Sequence, residues 1–488
     1  MPKKSQITFC SGIGTVTGAN FLLECGANSK ILIDCGMVQG ERFDEEMNRE
    51  PFPYEPASIQ VLIITHAHLD HVGRIPKLVK DGFRGVIYST PQTKALAELV
   101  LNDAAGILAF EAKQDGTLPL YDLNDVHAVF PLWRAIPYHE RLDITPDVSI
   151  FLKDAGHILG SAMVEVSISL TAPPLLAGGA LPRSLRSSGD SSHPSGGAND
   201  GLVQLKILFT GDLGNSPAPL LKDTEAIGDI DYLIMESVYG DRNHESKERR
   251  ASEFERIIKE TINRGGTLVI PAFSIDRTQL LLYELNNMVE QKRISSVPIF
   301  VDSPMATKAT EIYASNTELF NARVRDQMAK GDNIFDFPKL EFTVSQNESR
   351  DIEKMKGAKI ILAGSGMSVG GRVIGHEEFY LPDAKNTILL VGYQTIGSLG
   401  RRLAEGAKKV HIHDRKIQVH AKIETLYGYS AHKDSDHLVE FVSTATNRLK
   451  EVFVTMGEPK ASMHLAQRIN DELEVKAAVP QLGDIVDL

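Results

Sequence analysis

At 488 residues, 42% hydrophobic and 24% charged, the chain has the composition of a soluble globular protein with room for two or three domains. A formal net charge of −12 excludes coating nucleic acid by bulk attraction, though not a local basic groove. No apolar stretch approaches bilayer length and Met1-Pro2-Lys3-Lys4 leads into no signal-peptide core; with three cysteines, Cys10, Cys25 and Cys35, the expectation is free thiols in a reducing cytoplasm and no membrane partner.

To about residue 240 the chain alternates short apolar strands with Gly-rich turns, and five of the strands run out onto a ligand-type residue. Residues 31–33 end at Asp34, 61–65 at His66 and 232–235 at Glu236, while 148–152 lead to His157 and 205–210 to Asp212. A rigid sheet gathers chemistry along one rim through the loops that follow its strands. One acidic residue in a turn means little, because Asp is common there. Five strands repeating the pattern are not turn chemistry. The densest stretch is 61–73, VLIITHAHLDHVG, where a β-branched run delivers His66, His68, Asp70 and His71 within six positions. Alternate side chains of an extended segment point the same way, so His66 and His68 can share one ion, and Asp70 and His71 can face a second beside it. Imidazole and carboxylate without thiolate suit zinc, with manganese or iron as weaker options.

Residues 171–201 are rich in Gly, Ser, Pro and Ala and stand between two strands, which predicts a long, poorly ordered hairpin insertion in which His193 is solvated. From 241 to 425 the texture becomes strand, loop, helix, repeated, predicting a mainly parallel sheet covered on both faces. Its loops, such as PAFSIDRTQ, DSPMATK, AGSGMSVGGR and GYQTIGSLGRR, set Ser, Thr, Gly and Arg before helix starts, where free N–H groups can grip phosphate or simply cap. Residues 426–488 return to short strands and one helix from about Ala461, and read as the closing piece of the first domain.

HAHLDH at 66–71, with Asp34, His157 and Asp212 each following a strand, resembles the metallo-β-lactamase fold. Glu236 in MESVYGDR, a long α/β insertion and then GYSAH narrow the resemblance to the β-CASP branch of RNA-processing nucleases. SGMSVGGRVIGH (365–376) and the stretch from GYQTIGSLGRR to KKVHIH (392–413) resemble its bacterial and archaeal members. The fold this implies is an αββα sandwich, 1–240 and 426–488, with a parallel α/β β-CASP domain inserted at 241–425. The resemblance implies two zinc sites, with manganese as an option: His66, His68 and His157 on the first ion, Asp70 and His71 on the second, and Asp212 bridging. Asp34 would orient a ligand histidine from behind it. Glu236 and His432 would form the pair that protonates the leaving oxygen while a metal-activated hydroxide attacks phosphorus.

One departure stands out. The family carries a histidine before Gly-Glu after its last strand, and here VTMGEP puts Met456 in that place, so the second ion is expected to be held weakly. His464, eight residues on, is the one candidate substitute. Between Lys359 and Lys422 stand ten Lys or Arg against five acidic residues, a local +5. Arg372, Arg401 and Arg402 in Gly-rich loops, with Ser365, Ser368 and His376, are the expected RNA contacts. The reading is a metal-dependent ribonuclease acting on single-stranded RNA, endonucleolytic or exonucleolytic. The competing classes are an RNA-binding pseudo-nuclease and a small-molecule metallohydrolase. The resemblance allows a homodimer, although no self-complementary surface is visible in the sequence.

Overall fold

The structure is a computed structural model and describes residues 5–26, 29–39, 46–170, 203–392, 394–395 and 397–488. Two seven-stranded sheets face each other. The first runs in the order Ile485–Asp487, Gln6–Ser11, Asn20–Cys25, Ser29–Ile33, Val61–Ile63, Val86–Ser89, Trp133–Ala135. The second runs Ala477–Ala478, Glu451–Val454, Tyr232–Met235, Val203–Phe209, Ala162–Leu170, Val148–Asp154, Arg141–Thr145. Their facing sides close over one apolar core that includes Phe9, Leu23, Ile33 and Ile63 from the first sheet and Leu152, Val166, Ile207 and Phe209 from the second. Helices cover both outer faces. Pro91–Asp115 and Leu123–Val129 pack on the first sheet, and Ser435–Ser443 and Pro459–Leu473 on the second, which makes the αββα sandwich.

Reading the first 240 residues as short strands and turns passes over the 25-residue helix Pro91–Asp115. Its ends are nonetheless conventional. Thr90 Oγ1 accepts from the Thr93 amide at its N-terminus, Pro91 occupies the first turn, and Gly116 at φ 67° stops it in the left-handed region.

Between Tyr232–Met235 and Glu451–Val454 the chain leaves the sandwich and builds a third sheet. Its six strands are all parallel, in the order Leu340–Thr343, Ile299–Asp302, Lys359–Ala363, Thr267–Pro271, Thr387–Val391, Lys422–Leu426. The central strands are buried at every residue, as a sheet covered by helices on both faces requires. Helices such as Arg277–Glu290 and Pro304–Ala314 cover one face and Val373–Tyr380 and Leu399–Ala404 the other. The expected hairpin insertion at 171–201 lies outside the described residues, but the strands flanking it do pair antiparallel, Leu170 opposite Val203. Among the described residues no helix is long and apolar enough to cross a membrane.

Candidate metal centre

The strand ends assemble the site by register. Ile33 lies beside Ile63 in a parallel pair, so the next residues of both strands emerge at the same rim. Asp34 turns back through φ 58° and its amide donates to the Ile63 carbonyl at 2.9 Å. Its carboxylate, buried at 1% exposure, accepts three hydrogen bonds: from the Thr65 amide and hydroxyl, both at 2.8 Å, and from His71 Nδ1 at 2.7 Å. The Thr65 hydroxyl in turn sits 3.1 Å from His66 Nδ1. Asp34 therefore fixes the rings of two histidines, one directly and one through Thr65.

In the second sheet Phe209 lies beside Ile234, which puts Asp212 and Glu236 on adjacent strand ends. The Ala162 amide donates to the Thr65 carbonyl at 2.7 Å and ties the two sheets together at the rim, bringing the loop that carries His157 against His66. Two glycines make the approach possible. A Cβ on Gly36 would fall 1.6 Å from the Asp70 carbonyl, and one on Gly211, at φ 54°, would fall 2.6 Å from Thr65 Cβ.

Three groups of potential ligands result. His66, His68, His157 and Asp212 converge on one point, Asp70, His71 and Asp212 on a neighbouring one, and Asp212, Glu236 and His432 on a third. His68 Nδ1 lies 3.1 Å from His66 Nε2 and 3.2 Å from His157 Nε2, and Asp212 Oδ2 is 3.4 Å and 3.5 Å from the same two Nε2 atoms. Asp212 Oδ1 points the other way, 3.3 Å from His71 Nε2, and Asp70 Oδ2 is 3.9 Å from that nitrogen. Burial holds the imidazoles of His68 and His157 well below their ordinary pKa, so both present lone pairs rather than protons. Burial also works against the charge on His71 and Asp212, but the two attract each other: Asp212, Asp34 and Asp70 lift His71, and His71 and His66 hold Asp212 well down.

His71 Nε2 and Asp212 Oδ1 are buried with no hydrogen-bond partner. Two orphaned atoms, one a donor of electrons through nitrogen and one through oxygen, are what a cation between them would satisfy. The nitrogen and oxygen donor set, lacking any thiolate, fits zinc or manganese.

The general-acid candidates flank this centre. Both oxygens of Glu236 lie 3.1 Å from His432 Nδ1, and Glu236 Oε1 also accepts from the Leu213 amide at 2.6 Å. His432 arrives on a segment stitched to the loop after Asp212, with the Lys433 amide donating to Leu213 at 3.0 Å and the Asn215 amide to Ala431 at 2.8 Å. Burial disfavours the imidazolium of His432, but Glu236, Asp212 and Asp70 outweigh it and carry the group up to about 9.

Met456 lies one register step from this site. Its amide donates to Gly12 and its carbonyl accepts from Ser237, but its side chain is 3% exposed and belongs to the sandwich core with Phe9 and Phe453. His464 is in none of the three ligand groups: its ring is turned toward the Gly240 carbonyl, 3.0 Å away.

The expected RNA contacts need correction. Ser368 and His376 are each 1% exposed, because buried carboxylates draw them inward: Ser368 donates to Glu377 at 2.6 Å and His376 Nε2 lies 2.7 Å from Asp302. Arg372 is committed to the same Asp302 at 2.5 Å and to the carbonyls of Thr343 and Val344. Ser368 and His376 are thus turned into the inserted domain, and Arg372, half-buried, is engaged there by its own neighbours. Ser365 is half-buried, its hydroxyl accepting from the Val369 amide. Arg401 pairs with Glu405 at 2.7 Å, while Arg402, half-buried on the same short helix, has no ion-pair partner among the described residues. Three of the ten basic residues are engaged: Lys385 and Arg415 pair with Asp383 and Glu378 inside the segment, and Lys422 pairs with Glu260 outside it.

Paired cation pockets at one rim of an αββα sandwich, with a carboxylate–imidazole pair beside them, define a metal-dependent hydrolase. Residues 14–243 match the metallo-β-lactamase superfamily, 278–403 the Beta-Casp domain, and 416–480 the Zn-dependent metallo-hydrolase RNA specificity domain. The chain is 32% identical over 427 residues to ribonuclease TTHA0252 of Thermus thermophilus, covering 88% of each. It is 30% identical over 485 residues to the transcription termination factor FttA of Methanosarcina mazei, covering 96% of this chain and 70% of that one. A solved structure of a protein of unknown function from Enterococcus faecalis V583 shares the fold, with a TM-score of 0.54 and 13% identity over the whole of both chains. The chain belongs to the β-CASP family of the metallo-β-lactamase superfamily.

Thr65, which links Asp34 to His66, is the positioning residue that no sequence motif marks. It announces itself only by standing between a strand and the first ligand histidine.

Proposed function

We propose that the protein is a metal-dependent ribonuclease that hydrolyses phosphodiester bonds of single-stranded RNA. His66, His68, His157 and Asp212 would hold one zinc ion, and Asp70, His71 and Asp212 a second. The observation that carries the reading is the Glu236–His432 pair, 3.1 Å apart and facing the same Asp212 carboxylate that joins both cation pockets. A binding module has no use for a positioned acid there.

Two bound cations supply Lewis acidity and a water acidic enough to ionise near neutrality. The chain's own residues do the rest. Asp34 holds His71 and, through Thr65, His66 in the tautomers that face inward. Glu236 keeps the His432 Nδ1 proton, which leaves the opposite ring nitrogen to deliver a proton to the departing 3′-oxygen. With Glu236 beside it, His432 is charged at neutral pH, and cations on Asp212 and Asp70 would bring its pKa down toward the working range. Around the centre His68, Asp70 and His432 are partly exposed, His432 at 23% and Asp70 at 16% of their side chains, so the candidate site is open to solvent on the side where the acid stands. The relative named a ribonuclease and the RNA specificity domain support RNA over a lactone or thioester.

Met456 leaves the second ion with two carboxylates and one imidazole, so that ion is expected to exchange more readily than the first. The test combines metal analysis after dialysis with cleavage of labelled 5′-triphosphate, 5′-monophosphate and circular RNA in added Zn²⁺ or Mn²⁺. Cutting of the circular form would establish internal action. Hydrolysis of nitrocefin or a thioester without RNA cleavage would select the small-molecule class, and RNA binding without cleavage would select the pseudo-nuclease.

A further inference from the structure

We propose that Arg277 forms an anion subsite beside the metal centre that takes a backbone phosphate next to the scissile one. The inference rests on the ribonuclease reading and assigns a contact that reading leaves open.

Arg277 opens the helix Arg277–Glu290 and is 7% exposed, yet its Nε and Nη1 are buried without a hydrogen-bond partner. Arg277 lines a cavity of about 30 Å³ whose other walls include His157, Asn215, Ser430, Asp276 and Arg250. Arg250 is 4% exposed and its own Nε is also unpartnered, although its other nitrogens donate to Gly428 and Glu284. Glu284 is thus already engaged by Arg250, and Asp276 makes no ion pair with Arg277 among the described residues. A buried guanidinium left so short of acceptors is costly unless a ligand completes it.

The backbone is bent to put the group there. Asp276 sits at φ 67° and ψ −61°, and the Arg277 amide donates to the Ile275 carbonyl at 2.9 Å, a γ-turn of the strained, positive-φ kind. Strain of this sort persists where surrounding structure imposes it and clusters at ligand sites. The cavity has space for about two water-sized atoms, the scale of the non-bridging oxygens of a phosphate. Its wall contains His157, whose Nε2 is 3.2 Å from His68 Nδ1 in the first cation pocket, and Ser430 and Ala431, the residues just before His432. An anion held here is therefore one link away from the bond being cut. Binding would trade buried orphan donors for charge-assisted hydrogen bonds.

The test compares the full-length protein with Arg277→Gln and Arg277→Lys. RNA affinity is read in the His432→Ala background so that the oligonucleotide survives, with metal content and urea midpoint checked for each variant. We expect Arg277→Gln to bind RNA about tenfold or more weakly and to lose about 0.7 from the slope of log affinity against log salt, with partial rescue in Arg277→Lys. In the parent, a single uncharged methylphosphonate linkage should weaken binding most at one position beside the cleavage site, and Arg277→Gln should be indifferent to that position. An unchanged salt slope with metal content intact would overturn the subsite alone. So would competition by inorganic phosphate with no sensitivity to any methylphosphonate, which would mark a free-anion site. Absence of RNA binding by the parent would instead remove the ribonuclease reading and this subsite with it.

Discussion

Replacing Asp34 by Asn tests whether the centre depends on a carboxylate that would touch neither ion. The amide keeps one acceptor for the Thr65 amide at 2.8 Å, but it sets an N–H group where the Thr65 hydroxyl, at 2.8 Å, and His71 Nδ1, at 2.7 Å, now donate. His71 can relieve the clash only by moving its proton to Nε2, the atom aimed at Asp212 Oδ1 3.3 Å away. That nitrogen is then no longer a ligand. Two charge-assisted hydrogen bonds are lost in a site at 1% exposure, and at about 1.5–3 kcal/mol each the apo protein should lose roughly 3 kcal/mol or more of stability. Metal affinity should fall about 10–100-fold, or about 1.4–2.7 kcal/mol, with the second ion suffering more than the first because Thr65 cushions His66. Chelator competition with elemental analysis reads the affinities, and urea unfolding of the stripped protein reads the stability. A variant that holds both ions as tightly as the parent would refute the orienting role of Asp34.

His432→Ala should keep its metal and lose about 10²–10⁴ in cleavage rate, measured by single-turnover kinetics; metal loss with high residual turnover would contradict the acid assignment. Reversing charge at Arg401 and Arg402 should weaken RNA binding and flatten its salt dependence by about 0.7 per lost phosphate contact, with most of the effect from Arg402 because Arg401 already engages Glu405. Burial carries Glu377 up from 4.5 to about 7, so the folded chain keeps a proton the unfolded chain has released. Its contribution is full below about pH 4.5 and is lost as pH rises to about 7, on the order of 3 kcal/mol, so the stability of wild type minus Glu377→Gln should fall across that window; a flat difference would disprove it.

The candidate cation ligands, which the structure brings together, were legible because their signal is local: four residues within six positions, and strand after strand ending on a donor. The inserted parallel sheet was legible for a similar reason, its strands being continuous apolar runs followed by helix starts. The helix Pro91–Asp115 was not, because it is rich in alanine and packs on both the first sheet and the inserted helix Pro304–Ala314, which blurs a single apolar face. The loop residues Ser368, Arg372 and His376 misled because their partners are decided elsewhere: Asp302 ends a strand 70 residues before Arg372, and its buried carboxylate claims two of them. Arg277 carried no sequence signal beyond a polar loop. What distinguishes it is a missing partner, a property only three dimensions can define.

The path of the chain has a consequence for the order in which the site is completed. The inserted domain departs just after Glu236 and the chain returns just before His432, 196 positions later. All the candidate ligands of the two neighbouring cation pockets, the last of them Asp212, thus precede the inserted domain in the chain, while His432 follows it. The strand Glu451–Val454, which covers the edge of Tyr232–Met235, emerges later still. The first part of the candidate site and His432 therefore meet only once the chain has traversed the whole inserted domain and come back to the second sheet.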